Sequence, residues 1–271
     1  MTHVKTEEKS GIPLLLVPPL AEVIFELRWE LQQSDVQKGF YRDAAYPMMY
    51  GRMYERMQKD FPIIEDLPAV QAHPDTTPYV VRHRMRKEKN GWPLVQVGPG
   101  ILTINDAKGY SWRAFRTLAL RAIELISDLY PTGGAPLNFL KAEMRYVNAI
   151  NVDLQKDSPL SFLEEKLHTK IDLSSALFTE SPIDPRPVSV GLNLAFPLNK
   201  PLGNFGCSFN LGQSEGKSAY IFQSVVFSLG EVVPQDKEGF ETWLIDAHAV
   251  AQSSFTSFCK GSLMKKFCAT V

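Results

Sequence analysis

Residues 21–29 read AEVIFELRW, and a related stretch, AEMRYVNAI, returns in the second half of the chain at residues 142–150. In the first stretch Val23, Phe25 and Leu27 alternate with mostly polar residues, which is the period-two pattern of a β-strand with one buried face. Each stretch is followed by a helical pattern, by strand-like runs and by an amphipathic helix. This repeated order predicts two related halves.

The order of elements predicts an α+β fold. We expect each half to form an antiparallel sheet, or the two halves to form one continuous saddle, with helices packed on one face and the halves related by a pseudo-twofold duplication. The predicted organisation is a flexible N-terminal tail at residues 1–17, a first half at residues 18–135 and a second half at residues 136–271. Helices on one side leave the other sheet face, or the seam between the halves, as the concavity for a partner.

Local signals place several elements within the halves. A stripe of methionine and tyrosine at helical spacing predicts a helix over residues 36–61 whose methionines belong to the core. The Asn-Gly pair at residues 90–91 predicts a hairpin. Residues 98–100 read Gly-Pro-Gly between strand-like runs, which indicates a tight bend with close backbone approach rather than a phosphate cradle. The last long helix is predicted over residues 236–258.

Composition is typical of a globular protein. The chain has 271 residues, of which 44% are apolar and 22% charged, and its net charge of -1 excludes a global basic field. Cys207, Cys259 and Cys268 are odd in number and share no CxxC spacing, which favours a reducing compartment. The apolar run at residues 12–20 is interrupted by prolines, unlike a signal sequence, and no stretch is long enough to cross a bilayer. We therefore expect a cytoplasmic protein without a membrane partner.

A first candidate site lies on the repeated strands, where charged residues could meet across the seam between the halves. The candidate seam or partner site consists of Glu22, Glu26, Arg28, Glu143, Arg145 and Asn148. Paired carboxylates can perform acid and base chemistry when burial separates their pKa values. The alternative is an ion-pair network with a structural role.

A second candidate site lies on the predicted hairpin, where cationic side chains are concentrated. The candidate phosphate or nucleic-acid contact consists of Arg82, Arg84, Arg86, Lys87, Lys89 and Trp92. Strand alternation would place the three arginines on one face. The alternative is a solvated hairpin whose charges protect a strand edge.

The sequence offers no constellation for a cofactor or a catalytic nucleophile. The five histidines show neither an i, i+4 pair nor a metal-box spacing with cysteine, and there is no serine or cysteine elbow. His248, on the last helix, is best explained as a hydrogen-bonded structural histidine. We expect no catalytic residues, no metal and no cofactor.

Four motifs carry a resemblance to a known family. They are PPLAEVIFELRW at residues 18–29, a glycine-rich run before a Tyr-Ser-Trp helix start at residues 98–112, RYVN at residues 145–148, and a C-terminal helix containing His248 and Phe255. In this combination the chain resembles a sporadically distributed, poorly characterised bacterial family of similar length. The resemblance spans most of the chain and supplies no catalytic assignment. Its patchy distribution implies an accessory role, such as a component of a defence or toxin-neutralising cassette.

The function that the sequence favours is binding rather than catalysis. Ample aromatic residues without a catalytic set predict a non-enzymatic protein that acts through a macromolecular partner. We expect this partner to be a protein, and a second copy of the chain is one form of such a partner. The alternative is a nucleic-acid-binding or nucleotide-acting protein that uses the hairpin at residues 82–89 or the seam carboxylates.

Overall fold

The structure is a computed structural model that describes residues 15–35, 40–131 and 137–268. These residues form an α+β fold, as the sequence predicts, with a large antiparallel sheet and six helices. The strands are β1 (Leu20–Trp29), β2 (Gln32–Asp35), β3 (Phe40–Arg42), β4 (Ile63–Asp66), β5 (His83–Arg86), β6 (Leu94–Gly98), β7 (Ile101–Asp106), β8 (Phe139–Asn151), β9 (Gly191–Asn199), β10 (Leu202–Ser214) and β11 (Lys217–Leu229). The helices are α1 (Tyr46–Met57), α2 (Trp112–Leu129), α3 (Pro159–Leu167), α4 (Ala176–Thr179), α5 (Lys237–Cys259) and α6 (Ser262–Cys268). Within the described part of the chain, no helix is long and apolar enough to cross a membrane.

Nine strands form one continuous sheet in the order β4-β5-β6-β7-β1-β8-β11-β10-β9, and β2 pairs with β3 in a separate ribbon. Every neighbouring pair in the large sheet is antiparallel. The strands that carry the repeated stretches, β1 and β8, are neighbours at its centre. The sequence-related segments therefore pair with each other.

Helices α2 and α5 cover one face of the sheet. Phe115, Ala119 and Ile126 of α2 are buried in the same apolar cluster as Phe240 and Leu244 of α5, together with the inward residues of β1 and β8. These positions recur every three or four residues, which gives each helix one apolar stripe directed at the sheet. The stripe explains why both helices form and where they lie.

The carboxylate of Asp43 holds the central strand, a hairpin and a helix together. It accepts hydrogen bonds from Trp29 Nε1 at 3.0 Å, from the Gly100 backbone at 3.0 Å and from the Tyr46 backbone at 3.0 Å. Burial of this carboxyl raises its pKa, against the lowering effect of those hydrogen bonds. Asp43 also explains where α1 begins, because it satisfies an amide of the first helical turn.

The first predicted helix is shorter than the sequence indicates. It was expected over residues 36–61, yet α1 begins at Tyr46, because Phe40–Arg42 forms a strand of the β2-β3 ribbon; residues 36–39 lie outside the described part. The core assignment of the methionine stripe is confirmed for Met49, Met53 and Met57, which are fully buried, and is wrong for Met48, which is 55% exposed. Met48 directly precedes Met49, so the turn of the helix carries it away from the buried face. Helical spacing also did not mark the N-terminal boundary.

The predictions for the turns are confirmed. Asn90 adopts a left-handed conformation, with φ of 60°, in the hairpin between β5 and β6. A Cβ at Gly98 would lie 2.0 Å from the Val80 carbonyl oxygen, so the backbones approach as closely as a bend requires. Of the predicted tail at residues 1–17, residues 1–14 lie outside the described part, whereas the backbone amides of Leu16 and Val17 donate to the Phe267 carbonyl.

Candidate functional site

The second face of the sheet, which α2 and α5 do not cover, carries the predicted seam residues; we call it the outer face. Residues that lie opposite each other on antiparallel strands project from the same face. The central outer-face residues are Glu22, Ile24, Glu26 and Arg28 of β1 and Lys141, Glu143, Arg145 and Val147 of β8. Five of the six predicted seam residues therefore lie together on one face.

The two seam carboxylates share one lysine. Glu26 and Glu143 lie opposite each other in the β1-β8 pairing, and Lys141 Nζ lies 2.8 Å from Glu26 Oε1 and 2.7 Å from Glu143 Oε2. Arg28 Nε is 2.8 Å from Glu26, and Arg145 pairs with Glu143. The seam is thus an alternating chain of three cations and two carboxylates.

The electrostatics of this chain favour a charged Glu143. Burial disfavours the ionised form of Glu143, but the hydrogen bonds and charges of Lys141 and Arg145 outweigh it and lower the pKa of the carboxyl below its ordinary value. A carboxyl with a lowered pKa is ionised at neutral pH and is poorly suited to donate a proton. This geometry is that of the ion-pair network, while a catalytic use of the seam stays a prediction.

A second polar chain crosses the outer face of the first half. Glu22 accepts a hydrogen bond from Asn105 at 2.8 Å, Asn105 accepts one from Gln96 at 2.9 Å, and Gln96 accepts one from Arg84 at 2.9 Å. Arg84 in turn contacts Glu65. The chain links five neighbouring strands, from β1 to β4, and satisfies side chains that are largely buried.

Asn148, the sixth predicted seam residue, lies on the other face. It occupies the same side of β8 as Met144 and Tyr146, beneath the helices, and is only 4% exposed. Alternation along the strand explains the separation, because Asn148 is an odd number of residues away from Arg145. It belongs to the cavity described below.

A cleft of about 520 Å³ opens on the outer face of the second half. Its lining includes Val225 and Gly206, which are paired neighbours on β11 and β10. Gly206 has no side chain to fill the space, and Phe227 and Lys141 contribute to the lining. The cleft therefore joins the charged seam to a patch of small and apolar side chains.

The predicted phosphate contact on the hairpin is largely occupied by protein groups. Arg82 is 5% exposed and donates to the carbonyls of Val70 and Ala72 and to the Thr77 hydroxyl. Among the residues of the predicted phosphate contact, Arg82 has a side chain that binds protein groups and stabilises the fold. An arginine with this many internal acceptors has few donors left for a phosphate.

The next two arginines of the hairpin pair with one carboxylate. Glu65 lies 3.4 Å from Arg84 and 2.8 Å from Arg86. Lys87 and Lys89 are exposed at the hairpin tip, and Trp92 is half-buried. Strand β4, which supplies Glu65, has no clear sequence signal because it is short and flanked by proline, so the pairing could not be foreseen.

Lys87 lines a basic cleft of about 730 Å³ between the hairpin, the end of α1 and the start of α2. Lys59, Arg113 and Arg121 line it as well, and Asp60 forms an ion pair of 2.6 Å with Arg121. The hydrogen bond from Arg121 lowers the pKa of Asp60. Four cationic side chains against one carboxylate give this cleft a positive character that the whole chain lacks.

A smaller cavity of about 160 Å³ lies on the helix side of the sheet, between the start of β1, strand β8 and helix α5. Three of its lining residues form a hydrogen-bonded relay, in which the Tyr110 and Tyr146 hydroxyls are 2.9 Å apart and the Tyr146 hydroxyl is 2.7 Å from His248 Nδ1. The Trp112 indole stacks on the His248 ring, with centroids 4.0 Å apart and planes inclined by 10°. The relay joins the two halves of the chain.

Burial sets the protonation state of the relay. It lowers the pKa of His248 to about 4 and raises the pKa of Tyr146 and of Tyr110 well above that of free tyrosine. All three groups are therefore neutral at physiological pH. The structural reading of His248 agrees with its hydrogen bond to Tyr146.

The motifs that carry the family resemblance converge on this cavity. Pro18 and Leu20 of the first motif, Tyr110 of the second, Asn148 of the third and Phe255 of the last helix all line it. These motifs lie far apart in the sequence, and no local pattern places them together. The signal in the sequence was that all four motifs belong to one family resemblance. That they line one cavity depends on the pairing of β1 with β8.

The described residues hold no cluster of three or more histidine, cysteine or acidic side chains that could bind a metal ion. No protein-family model matches the sequence, and no curated protein sequence matches it either. The family resemblance stays a prediction that rests on its motifs.

Proposed function

We propose that the chain is a non-enzymatic binding protein whose outer sheet face receives a protein partner. The observation that carries the proposal is the cleft of about 520 Å³ beside the seam, which combines ionic and apolar groups on a face that α2 and α5 leave uncovered. Protein interfaces combine an apolar centre with a polar rim. Phe227 and Val225 supply the apolar centre, and Lys141 and Glu143 supply part of the polar rim.

The edge strand beside the cleft adds to the proposal. Strand β9 is exposed along most of its length, and its Leu194 and Phe196 side chains, at 40% and 48% exposure, project from the face opposite to Ala195 and Gly206. Among the described strands β9 pairs with β10 alone, so within the described part of the chain the backbone groups of its other edge are unpaired. A partner that lies in the cleft can extend the sheet at this edge.

Duplication of an ancestral half is part of the same proposal. On either side of the β1-β8 pair the strand order is mirrored, since β7, β6 and β5 follow β1 while β11, β10 and β9 follow β8. Helices α2 and α5 each close one half in the chain order. The mirrored order and the repeated stretches support a pseudo-twofold relation. A role in a defence or toxin-neutralising cassette rests on the family resemblance alone.

The test is a pull-down of the tagged protein from an extract of its native host, at low and at moderate salt. Gly206→Leu should fill the cleft without strain, because the nearest atoms to a Cβ at Gly206 lie 3.8 Å away and its φ is ordinary. Gly212→Leu is the matched control, since it lies on the same strand and face outside the cleft. A stoichiometric protein should survive moderate salt with the control and be lost with Gly206→Leu.

Retention of the same protein by Gly206→Leu would overturn the assignment of the surface. A partner that is a second copy would appear as a dimer in light scattering, and Gly206→Leu should dissociate it. Absence of any protein, with wild type and control alike, would contradict the proposal as a whole.

A second candidate function is phosphate or nucleic-acid binding, which the basic cleft favours. Lys87 comes from the predicted hairpin set, and Arg113 lies beside it with an exposed side chain. Fluorescence anisotropy with single-stranded DNA across a salt series tests this function. The double variant Lys87→Glu with Arg113→Glu should reduce the slope of log K against log salt by about 1.4, since each phosphate contact contributes about 0.7. Lys217→Glu, outside the cleft, is the control and should leave the slope unchanged. If the double variant has the same slope as the wild type, DNA does not bind in this cleft.

A further inference from the structure

We infer that the cavity at the Tyr110–Tyr146–His248 relay is a binding site for a small neutral planar heterocycle that carries an N–H group next to a C=O group. This site lies on the helix side of the sheet, and the inference is independent of the partner surface on the outer face. Its ligand class follows from the size of the cavity, from the charge of its lining and from one buried amide.

The buried amide is that of Asn148. Asn148 is only 4% exposed, lines the cavity and makes no side-chain hydrogen bond to any described residue. It stands on the inward face of β8 between Tyr146 and Ile150. Its amide atoms are not sealed within the protein but open to the cavity, where a ligand can supply the hydrogen bonds that no described residue makes. An amide offers one acceptor and two donors, which complement an adjacent N–H and C=O.

The relay supplies a second polar contact that can adapt to the ligand. The imidazole of His248 is neutral, and its Nε2 makes no hydrogen bond to a described residue. When Tyr110 donates to Tyr146 and Tyr146 donates to Nδ1, Nε2 carries the proton and donates. When the two hydrogen bonds reverse, the Tyr110 hydroxyl donates to the cavity instead and Nε2 accepts. The relay therefore offers a donor at one end and an acceptor at the other in either state.

Size and charge restrict the ligand further. A cavity of about 150 Å³ accommodates one benzene ring, and this cavity of about 160 Å³ is of the same size. The described residues of its lining include aromatic and aliphatic groups such as Phe255, Ala251 and Leu20, and none of them carries a carboxylate, ammonium or guanidinium group. Burial of an unpaired charge is expensive, so the ligand is neutral.

The probe for this site is 2-pyridone, and binding is followed by saturation-transfer NMR and by titration calorimetry on the full chain. We expect 2-pyridone to bind and N-methyl-2-pyridone, which lacks the N–H donor, to bind at least tenfold more weakly. Asn148→Leu, which keeps the volume but removes the amide, should weaken 2-pyridone at least tenfold while benzene still binds. Asn151→Leu is the control on the same strand, where the side chain is exposed, and it should change nothing.

Three outcomes would overturn the inference. Wild-type protein that binds neither 2-pyridone nor benzene at about 10 mM has no ligand-accessible cavity here. Equal affinity for 2-pyridone and its N-methyl analogue shows an apolar cavity without hydrogen-bond recognition, and this comparison needs no variant. Binding of 2-pyridone that Asn148→Leu leaves unchanged, in a variant with wild-type circular dichroism, places the ligand elsewhere.

Discussion

Glu26 and Glu143 face each other across the two central strands, and the ammonium group of Lys141 lies within 2.8 Å of both carboxylates. Two like charges on directly opposed positions of a sheet destabilise it unless a cation lies between them. Lys141 therefore couples the first half of the chain to the second. The side chains are 17%, 8% and 19% exposed for Glu26, Glu143 and Lys141, so solvent screens this cluster only in part.

Removal of that lysine is the first prediction. Lys141→Met should lower the free energy of unfolding at pH 7 by up to about 3 kcal/mol, because one partner of a buried ion cluster is lost while the carboxylates remain. The deficit should shrink in the double variant with Glu143→Gln, because one of the two carboxylates that have lost the lysine is then neutral. Urea unfolding of the single and the double variant measures this. Lys200→Met is the control, since Lys200 is 76% exposed and should contribute less than about 1 kcal/mol. A Lys141→Met variant as stable as wild type would show that Arg28 and Arg145 are enough to stabilise the two carboxylates.

The backbone approach at Gly98 gives a second prediction. A Cβ there would meet the Val80 carbonyl oxygen at 2.0 Å and its carbon at 2.8 Å, which forces the backbone to move. Gly98→Ala should therefore cost about 1–3 kcal/mol of unfolding free energy. Gly212→Ala should stay within about 0.5 kcal/mol, because its nearest neighbour would be Ile221 Cγ1 at 3.5 Å. Thermal and chemical unfolding of both variants measures the difference. Equal stability of Gly98→Ala and Gly212→Ala would contradict the close approach of the backbones at Gly98.

The buried histidine predicts a specific pH dependence of stability. Burial depresses the pKa of His248 from 6.5 to about 4, so above pH 6.5 the imidazole is neutral in the folded and the unfolded state alike. As the pH falls from 6.5 towards 4, the unfolded chain binds a proton that the folded chain does not, and stability is lost. The loss should reach about 2–3 kcal/mol at pH 4.5.

His248→Asn should remove that component, because an amide can occupy the position of Nδ1 and does not titrate in this range. The measurement is the difference in unfolding free energy between wild type and variant at pH 6.5 and at pH 4.5. Carboxylates with lowered pKa values, such as Glu143, act at lower pH and are common to both proteins. A difference that does not change between the two pH values would mean that His248 titrates normally.

The three cysteines should differ in reactivity. Burial raises the pKa of Cys259 to about 12 and also raises that of Cys207, whereas Cys268 is half-buried near the end of the described chain. Thiolates are the reactive species, so the native protein should show one fast thiol toward Ellman's reagent and the unfolded protein three. Cys268→Ser should abolish the fast phase. A fast phase that persists in this variant would indicate that a buried cysteine becomes accessible in the native state.

The local elements of the fold could be read from the sequence because their signals are local. Alternation identified β1 and β8, helical spacing identified α2 and α5, and Asn90 identified a hairpin. Boundaries were less certain, as the start of α1 at Tyr46 shows, because strand and helix patterns overlap at a junction. The seam carboxylates were expected to meet only if the two repeated stretches came together, and the pairing of β1 with β8 brings them together.

The remaining features depend on residues far apart in the chain. Tyr146 and His248 are 102 positions apart, and their hydrogen bond requires β8 and α5 to pack in one register. The pairing of Arg84 and Arg86 with Glu65 requires a short edge strand that has no distinctive pattern. Contacts of this kind depend on strand register and sheet order, which the local period does not specify.

The sequence by itself determined the α+β class, the two repeated strands, the helix faces and the hairpins, because side-chain period and turn chemistry act within a few residues. Only the tertiary structure decided that nine of the eleven described strands join in one sheet, that Glu26 faces Glu143, and that Asn148 turns away from the seam into a cavity. The physical reason is that strand pairing is non-local. A shift of one residue in register would exchange the two faces of a strand and, with them, the site to which each side chain belongs.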